Sequence, residues 1–285
     1  MSRRKGQRSR APLGNEHALP DHVSNSVGGQ LKTLSDKEKN EINDGVFHLL
    51  SEIGFEQLPE FLECFVDNKT IIKKNNRYCF GIELVERCLR SSNKDISLFQ
   101  QNQKDSLDIS NENVYCGTGG AAPLILDYEK KIYRPSLKTD LLNAARVVDK
   151  LRNLSFFSRP LVLTDISDPH LMDIYTAIIS LSATQKHVMT SVADHKTVKS
   201  LAQVCYILAG GEEAFRKAPF LSLNINFIVP PLRFDNEACE VMRESVKYGI
   251  PVMANVFGQR GASSPVSLVG SCLLYTSDAA DDPTC

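Results

Sequence analysis

The sequence predicts an α/β protein, an incomplete (β/α)8 TIM-type barrel of about five βα units preceded by a mostly helical N-terminal region. Three observations predict it. From about Leu124, short apolar runs alternate with amphipathic stretches roughly every thirty residues, the length of a βαβ repeat. Most of these runs end just before a helix-start signal. One run, Leu221–Val229, alternates between apolar and polar residues as far as Phe227. A barrel of this kind closes with eight units, and here the rhythm breaks at Gly270.

The elements follow in order. Residues 1–30 lack periodicity and carry Arg3, Arg4, Lys5, Arg8 and Arg10, so a disordered basic tail is expected. Residues 31–112 form the helical region. Ser35 and Glu38 have capping-box spacing, Ile42, Val46, Leu49, Leu50 and Ile53 share one helical face, and Gly54 ends the helix. A second helix is expected from Leu58-Pro59. A third runs from Gly81 to Ser91, with Ile82, Val85 and Leu89 inward. Residues 113–270 form the partial barrel. Its strand cores are Leu124–Asp127, Pro160–Asp165, His187–Asp194, Leu221–Val229 and Pro251–Phe257. Helices open at Thr139-Asp140, at Asp168-Pro169 with proline at the favoured first position, at Asp194, and at Asp235 or Asn236. Gly210-Gly211 and Gly249 close the last two. The run Cys272–Asp281 matches the translation of a transposon-end sequencing adapter, so residues 271–285 are expected to be foreign to the fold.

Composition narrows the function. The 285 residues are 42% hydrophobic and 24% charged, which suffices for a packed core. A net charge of −1 argues against a nucleic-acid binder. No signal peptide and no long apolar span are present, so no membrane association and a cytoplasmic location are expected. The eight cysteines form no CxxC pair, and no HExxH occurs, so no metal site is expected. No G-x-S-x-G occurs, which removes serine-esterase chemistry.

Gly117, Gly119 and Ala122 match a dinucleotide-binding fingerprint, but that motif needs a helix directly after it. Pro123 and the strand-like Leu124-Ile-Leu-Asp follow instead, so the run reads as a glycine-rich approach to the barrel.

The alternating strand carries the sharpest signal. Leu221, Leu223 and Ile225 lie on one face and Ser222, Asn224 and Asn226 on the other. A strand covered on both faces by helices is apolar throughout, so the polar face points into a lumen. Asn255 sits on the corresponding face of Pro251–Phe257. Asp165 ends its strand, where a barrel enzyme carries chemistry or where the next helix takes a cap. Asp165, Asn224, Asn226 and Asn255 are therefore the candidate substrate-binding residues. His187 reads as a core histidine and Asp194 as a cap.

Ordered landmarks now identify a resemblance. They are Leu50-Ser-Glu-Ile-Gly-Phe-Glu, Gly117-Thr-Gly-Gly-Ala-Ala-Pro and Tyr133-Arg-Pro-Ser-Leu-Lys-Thr-Asp. Asp165-Ile-Ser-Asp-Pro, Thr184-Gln-Lys-His and Gly210-Gly-Glu-Glu-Ala-Phe-Arg-Lys-Ala-Pro follow. The last are Pro230-Pro-Leu, Gly249-Ile-Pro-Val and Gly261-Ala-Ser-Ser-Pro-Val-Ser-Leu-Val-Gly. The chain resembles the trimethylamine methyltransferase family. The resemblance implies one-carbon metabolism, of the kind found in methanogenesis. In it a methyl group leaves a tertiary or quaternary amine, trimethylamine or betaine-like, for the Co(I) of a partner corrinoid protein. It implies no tightly bound cofactor. Homo-oligomers are compatible with it. Members run to nearly twice this length, and the trimethylamine enzymes carry a pyrrolysine in the later part. Catalytic residues are therefore expected beyond Gly270, and the present chain is expected to be inactive alone.

Two other readings stand beside this one. An aldolase or lyase needs a lysine at a strand's carboxyl end, and Lys186 begins its strand instead. A binding relative keeps the fold without the chemistry.

Overall fold

The computed structural model describes residues 26–28, 34–67, 69–110, 113–230, 232–267, 269–271 and 273. Nearly all of the basic tail and of residues 272–285 lies outside them. Ser26–Val27 is within them and pairs antiparallel with Asn113–Val114.

A four-stranded parallel sheet forms the centre, in the order Val252–Asn255, Leu221–Asn226, His187–Thr190, Phe156–Ser158. Spatial neighbours are sequence neighbours, and every pairing is parallel. Helices join them: Pro169–Ala183, then His195–Ala209 with Glu212–Lys217, then Asn236–Lys247. Three of the four caps expected on these helices hold, whereas the helix expected to open at Thr139-Asp140 begins at Lys138 with Leu137 as its N-cap. Asp168 accepts from the Leu171 N–H, Asp194 from Lys196 and Asp235 from Ala238. Gly210 takes a left-handed φ of 82°, which only glycine adopts cheaply.

The runs at 187–194 and 251–257 are strands only over His187–Thr190 and Val252–Asn255, and three larger differences from expectation accompany them. Leu124–Asp127 is not a stave of the sheet: it forms an antiparallel hairpin with Ile132–Pro135. Asp127 accepts from the Lys130 N–H, Lys131 takes φ 54°, and the chain turns back. Leu124 and Leu126 are each 50% exposed, unlike a barrel strand. The parallel neighbour of Phe156–Ser158 is the glycine-rich run itself, through the bridge Gly117↔Phe156, and a second bridge, Ala122↔Leu161, joins the two segments just beyond the strand. Second, the strand expected at Pro160–Asp165 lies earlier, at Phe156–Ser158. The Arg159 N–H bonds Met189 O, and Pro160 has no N–H with which to continue the ladder. Third, the long run at 221–229 breaks after Asn226. Ile228–Val229 then pairs antiparallel with Arg233–Phe234.

The N-terminal region is less helical than the sequence suggests. Asp36–His48 continues through a π-helical turn at Leu49–Ile53, and Ile82–Ser91 forms a second helix. The expected helix at Leu58-Pro59 is a 3-10 segment, Glu60–Phe65. Two hairpins complete it, Ile71–Lys74 with Arg77–Phe80 and Ser97–Phe99 with Ser106–Asp108. Ile82 is 49% exposed rather than inward. The Ser35–Glu38 capping box is present. Ser35→Ala is expected to cost about 1 kcal/mol, checked by denaturant unfolding of the two proteins side by side.

The two faces of the sheet differ. Val188, Leu221, Leu223 and Ile225 pack with Leu201, Cys205, Phe215, Phe220 and Val241 of the covering segments. Ser222, Asn224 and Asn226 point the other way, beside Met189, Met253 and Asn255 in register. The Ser97–Phe99 hairpin crosses the amino end of the sheet, where the Gln101 N–H bonds Gln185 O and Gln103 Nε2 bonds Ala209 O. The first helix joins the sheet's far side through Ile42, Val46, Leu50 and Phe55, which pack on Ile228, Leu232 and Val256. Phe55 stacks on Phe234 with centroids 4.4 Å apart. Leu273 also packs at this cluster and Ser271 is buried against Ser264 and Ser267, so both described residues of the 271–285 segment touch the fold.

Candidate active site

A cavity of about 890 Å³ opens at the carboxyl ends of the parallel strands. Asn224, Asn226, Met253 and Asn255 form its sheet wall. Loops following the strands supply Ser191, Ala193 and Asp235, the first turn of the Asn236–Lys247 helix supplies Glu237, and the glycine-rich run supplies Thr118, Gly119 and Gly120. Crevices outside the carboxyl ends of parallel strands are where α/β proteins place their chemistry, because each strand there delivers its next residues to a common point.

Three of the four residues singled out by strand alternation meet here. Asn224 is half-buried, its Nδ2 donates to Ser158 Oγ at 3.3 Å, and its Oδ1 has no partner among the described residues. Asn226 and Asn255 face each other in register on neighbouring strands. Asp165 lies elsewhere. Its Oδ1 accepts from the Lys138 N–H at 3.2 Å and its Oδ2 lies 3.6 Å from Lys138 Nζ, so it serves the amino end of the Lys138–Lys150 helix. The turn after Pro160 carries Asp165 off the sheet and away from the cavity wall.

One glycine of the run is required by this wall. A Cβ on Gly117 would overlap the ring of Phe156. Thr118 Oγ1 donates to Ser158 O at 2.6 Å, holding the run beside the strand. No helix follows it, so it presents no helix N-terminus to a pyrophosphate.

Arg159 is the residue that strand alternation missed. It follows the last residue of its strand, lines the cavity, and has a side chain 16% exposed. Its Nη2 donates to Ser191 Oγ at 2.8 Å, and its Nη1 lies 3.7 Å from Asp173 Oδ1. Asp173 Oδ2 accepts from the Ala193 N–H at 2.8 Å. Burial pulls the Arg159 pKa down and pushes the Asp173 carboxyl up, against the smaller opposing effect of their mutual attraction. The sequence signal was a lone arginine inside Phe-Phe-Ser-Arg-Pro-Leu. The aromatic side chains divide between core and cavity. Phe157 is fully buried on the helix side, whereas Phe156 and the 67% exposed Phe257 line the cavity.

His187 lies below the cavity as a fully buried core histidine. Nδ1 sits 2.9 Å from Phe99 O and Nε2 2.9 Å from Ser222 Oγ. A carbonyl only accepts, so Nδ1 carries the proton and Nε2 accepts from the serine hydroxyl. Burial holds its pKa down at about 4, with the Phe99 contact opposing weakly. The unfolded chain therefore binds this proton near pH 6.5 while the folded one refuses it until about pH 4. Stability contributed by the neutral ring is complete above pH 6.5 and drains as pH falls toward 4. Between pH 7 and 5 the expected loss is about 2 kcal/mol. Denaturant unfolding at both pH values checks this, with His187→Gln as the control that lacks this loss. Asp140 and Asp149, both held low, act only in stronger acid.

Asp194, His195 and Glu237 cluster at the rim, their ligand atoms within 4.8 Å of one another. His195 Nδ1 and N–H both lie 2.7 Å from Glu237 Oε1, and Asp194 is occupied as a helix cap, so hydrogen bonding accounts for the cluster. Lys186 is at the opposite end of the sheet, with Nζ on Val148 O at 2.5 Å and Leu151 O at 2.7 Å. Among the described lining residues there is no lysine. No helix among the described residues is long and apolar enough to cross a membrane.

Together these features define an α/β protein with a polar-walled pocket at the carboxyl ends of a sequentially ordered parallel sheet. The particular family follows from sequence comparison. Residues 2–280 match the trimethylamine methyltransferase (MTTB) family, and the chain belongs to it. A trimethylamine methyltransferase MttB of Desulfitobacterium hafniense is 29% identical over 260 residues, 89% of this chain and 51% of that protein. A glycine betaine methyltransferase from strain Y51 of the same species is 23% identical over 249 residues, 86% of this chain and 51% of that protein. A trimethylamine methyltransferase MttB of Methanosarcina barkeri is 26% identical over 221 residues, 75% of this chain and 43% of that protein. The chain thus spans about half the length of the curated relatives it matches.

Proposed function

We propose that this chain supplies the first part of a methyltransferase that takes a methyl group from a tertiary or quaternary amine. The acceptor is the Co(I) of a separate corrinoid protein. The four parallel strands are then consecutive staves of a (β/α)8 barrel. The observation carrying this reading is the sequential parallel order combined with a polar face turned away from the helices. A doubly wound sheet reverses its strand order at the crevice, and none of the described strands does so. Family membership supports the chemistry, since relatives carry the names trimethylamine and glycine betaine methyltransferase.

The chemistry asks little covalent work of the protein. The electron pair of the C–N bond stays on nitrogen, the amine leaves one methyl poorer, and Co(I) supplies the pair for the new bond. Holding the methyl in line with the incoming nucleophile is the main task. The cavity suits that task. Phe156, Met189, Met253 and Phe257 offer apolar contact to methyl groups, and Asn224 Oδ1, Asn226, Asn255 and Glu237 offer negative potential to the ammonium. The acceptor reaches the cavity from its open mouth.

An aldolase or lyase finds no support, because Lys186 is tied to carbonyls at the far end of the sheet. The test uses a full-length protein that continues this sequence, mixed with a Co(I) corrinoid protein and a panel of methylamines and betaines. Loss of the Co(I) absorption with at least one methylated amine is expected. Silence across the panel overturns the reading.

A further inference from the structure

We propose that the hairpin of Leu124–Asp127 and Ile132–Pro135 is an interface, and that its occupant is the same hairpin of a second copy of this chain. The interface stands apart from the methyl-transfer chemistry.

The hairpin has the wrong polarity for a free surface. Its register puts Leu124 opposite Pro135 and Leu126 opposite Tyr133, and strand alternation turns these four side chains to one face. All four are exposed, Leu124 and Leu126 by 50% and Tyr133 by 73%. Tyr128, 88% exposed, follows at the turn. The charged residues lie on the other face. There Arg134 bonds Asp127 at 3.2 Å and Asp140 at 2.6 and 2.9 Å. Ile125, opposite Arg134, packs on the cluster that includes Leu141 and Leu161. A hairpin laid on a core with water above it carries its polar residues outward. Here an ion network sits within, and an uncharged apolar face looks out. Neither strand pairs with a further strand among the described residues. A two-stranded ribbon is marginal by itself and gains from a second layer.

Area and charge point to a second copy as that layer. At roughly 150–250 Å² for a tyrosine, the exposed side chains of this face and turn present on the order of 600 Å². That is a contiguous patch of the size that marks an interaction site. Two copies face to face remove about 1,200 Å², the lower end for a specific interface. The rim selects the partner. Glu129 and Lys131 border the face at the turn, both exposed and without an ion pair among the described residues. About a two-fold axis, a residue that meets a second residue across the interface is met by it in return. Glu129 of each copy then meets Lys131 of the other, so the turn is complementary to itself. A different partner with a rim of one sign leaves one of the two charges unanswered.

Sedimentation equilibrium of the 285-residue protein from about 0.1 to 100 µM brackets the weak end for interfaces of this size. A reversible monomer–dimer equilibrium is expected. Leu126→Lys and Tyr133→Asp each put a charge on the face, where two copies then confront like charges. Each is expected to raise the dimer dissociation constant at least about tenfold. Both positions are half-exposed or more, so circular dichroism and the melting temperature are expected to match those of the unaltered protein. Glu129→Lys and Lys131→Glu test who the partner is. Each alone is expected to weaken the dimer about threefold, and the two combined are expected to restore it. A monomer at every concentration overturns the proposal, whether a later part of the same polypeptide or a different protein covers the hairpin instead. A dimer or larger assembly indifferent to Leu126→Lys and Tyr133→Asp also overturns it, because association then runs through another surface. Failure of the combined exchange to restore the dimer overturns the two-fold pairing of hairpins.

Discussion

Phe220→Ala is expected to lose about 3–5 kcal/mol of stability, measured by denaturant unfolding at neutral pH. Phe220 is 1% exposed and enters the core directly before the Leu221–Asn226 strand. Its ring meets Phe215 edge-to-face with centroids 5.3 Å apart, and its carbonyl accepts from the Val188 N–H at 2.9 Å. Truncation opens a cavity between the Glu212–Lys217 helix and the sheet and forfeits the aromatic pair. The backbone bond survives, so the loss reports packing. Ile207→Ala, at a position 80% exposed on the neighbouring helix, should stay within about 0.5 kcal/mol. Equal effects at the two sites would mean that this layer is not packed as described.

Asp173→Ala is the second large effect, at about 3–5 kcal/mol. The Asp173 side chain is 3% exposed and stands between Arg159 and the loop at Ala193. Its removal leaves the guanidinium buried without a counter-charge and the Ala193 N–H without an acceptor. The pair is not worth that much in itself, because burying both groups costs most of what their attraction returns. Arg159→Ala combined with Asp173→Ala should therefore be less damaging than the two single losses added together. A double-mutant cycle by thermal or denaturant unfolding measures the difference, and strict additivity would show that the two side chains do not interact.

How much of this was legible beforehand depends on the range of the interaction. Caps were legible because they are local. Ser35 with Glu38, Asp168 with Pro169, Asp194, Asp235 and the glycines at 210 and 249 each act within four residues, so neighbours in sequence are neighbours in space. The polar face of Leu221–Asn226 was legible for the same reason, since alternation is a property of the strand alone. Asp165 was misplaced because the strand before it ends at a proline, and a shift of a few residues changes which element a side chain serves. Leu124–Asp127 was misassigned because an apolar run looks the same in a hairpin as in a parallel sheet. Arg159 was overlooked because its counter-charge is fourteen residues away (159 to 173) and its hydroxyl partner thirty-two.

The sequence by itself determined the repeat, the helix ends, the family landmarks and which face of the central strand is polar, all of them set by periodicity and short-range hydrogen bonding. The tertiary structure alone decided that the glycine-rich run lies beside Phe156, that Asp165 serves a helix, and that Arg159, Thr190 and Asn224 share one cavity. Those three outcomes depend on which strands lie side by side, and strand neighbourhood is fixed by long-range packing that no window of sequence contains.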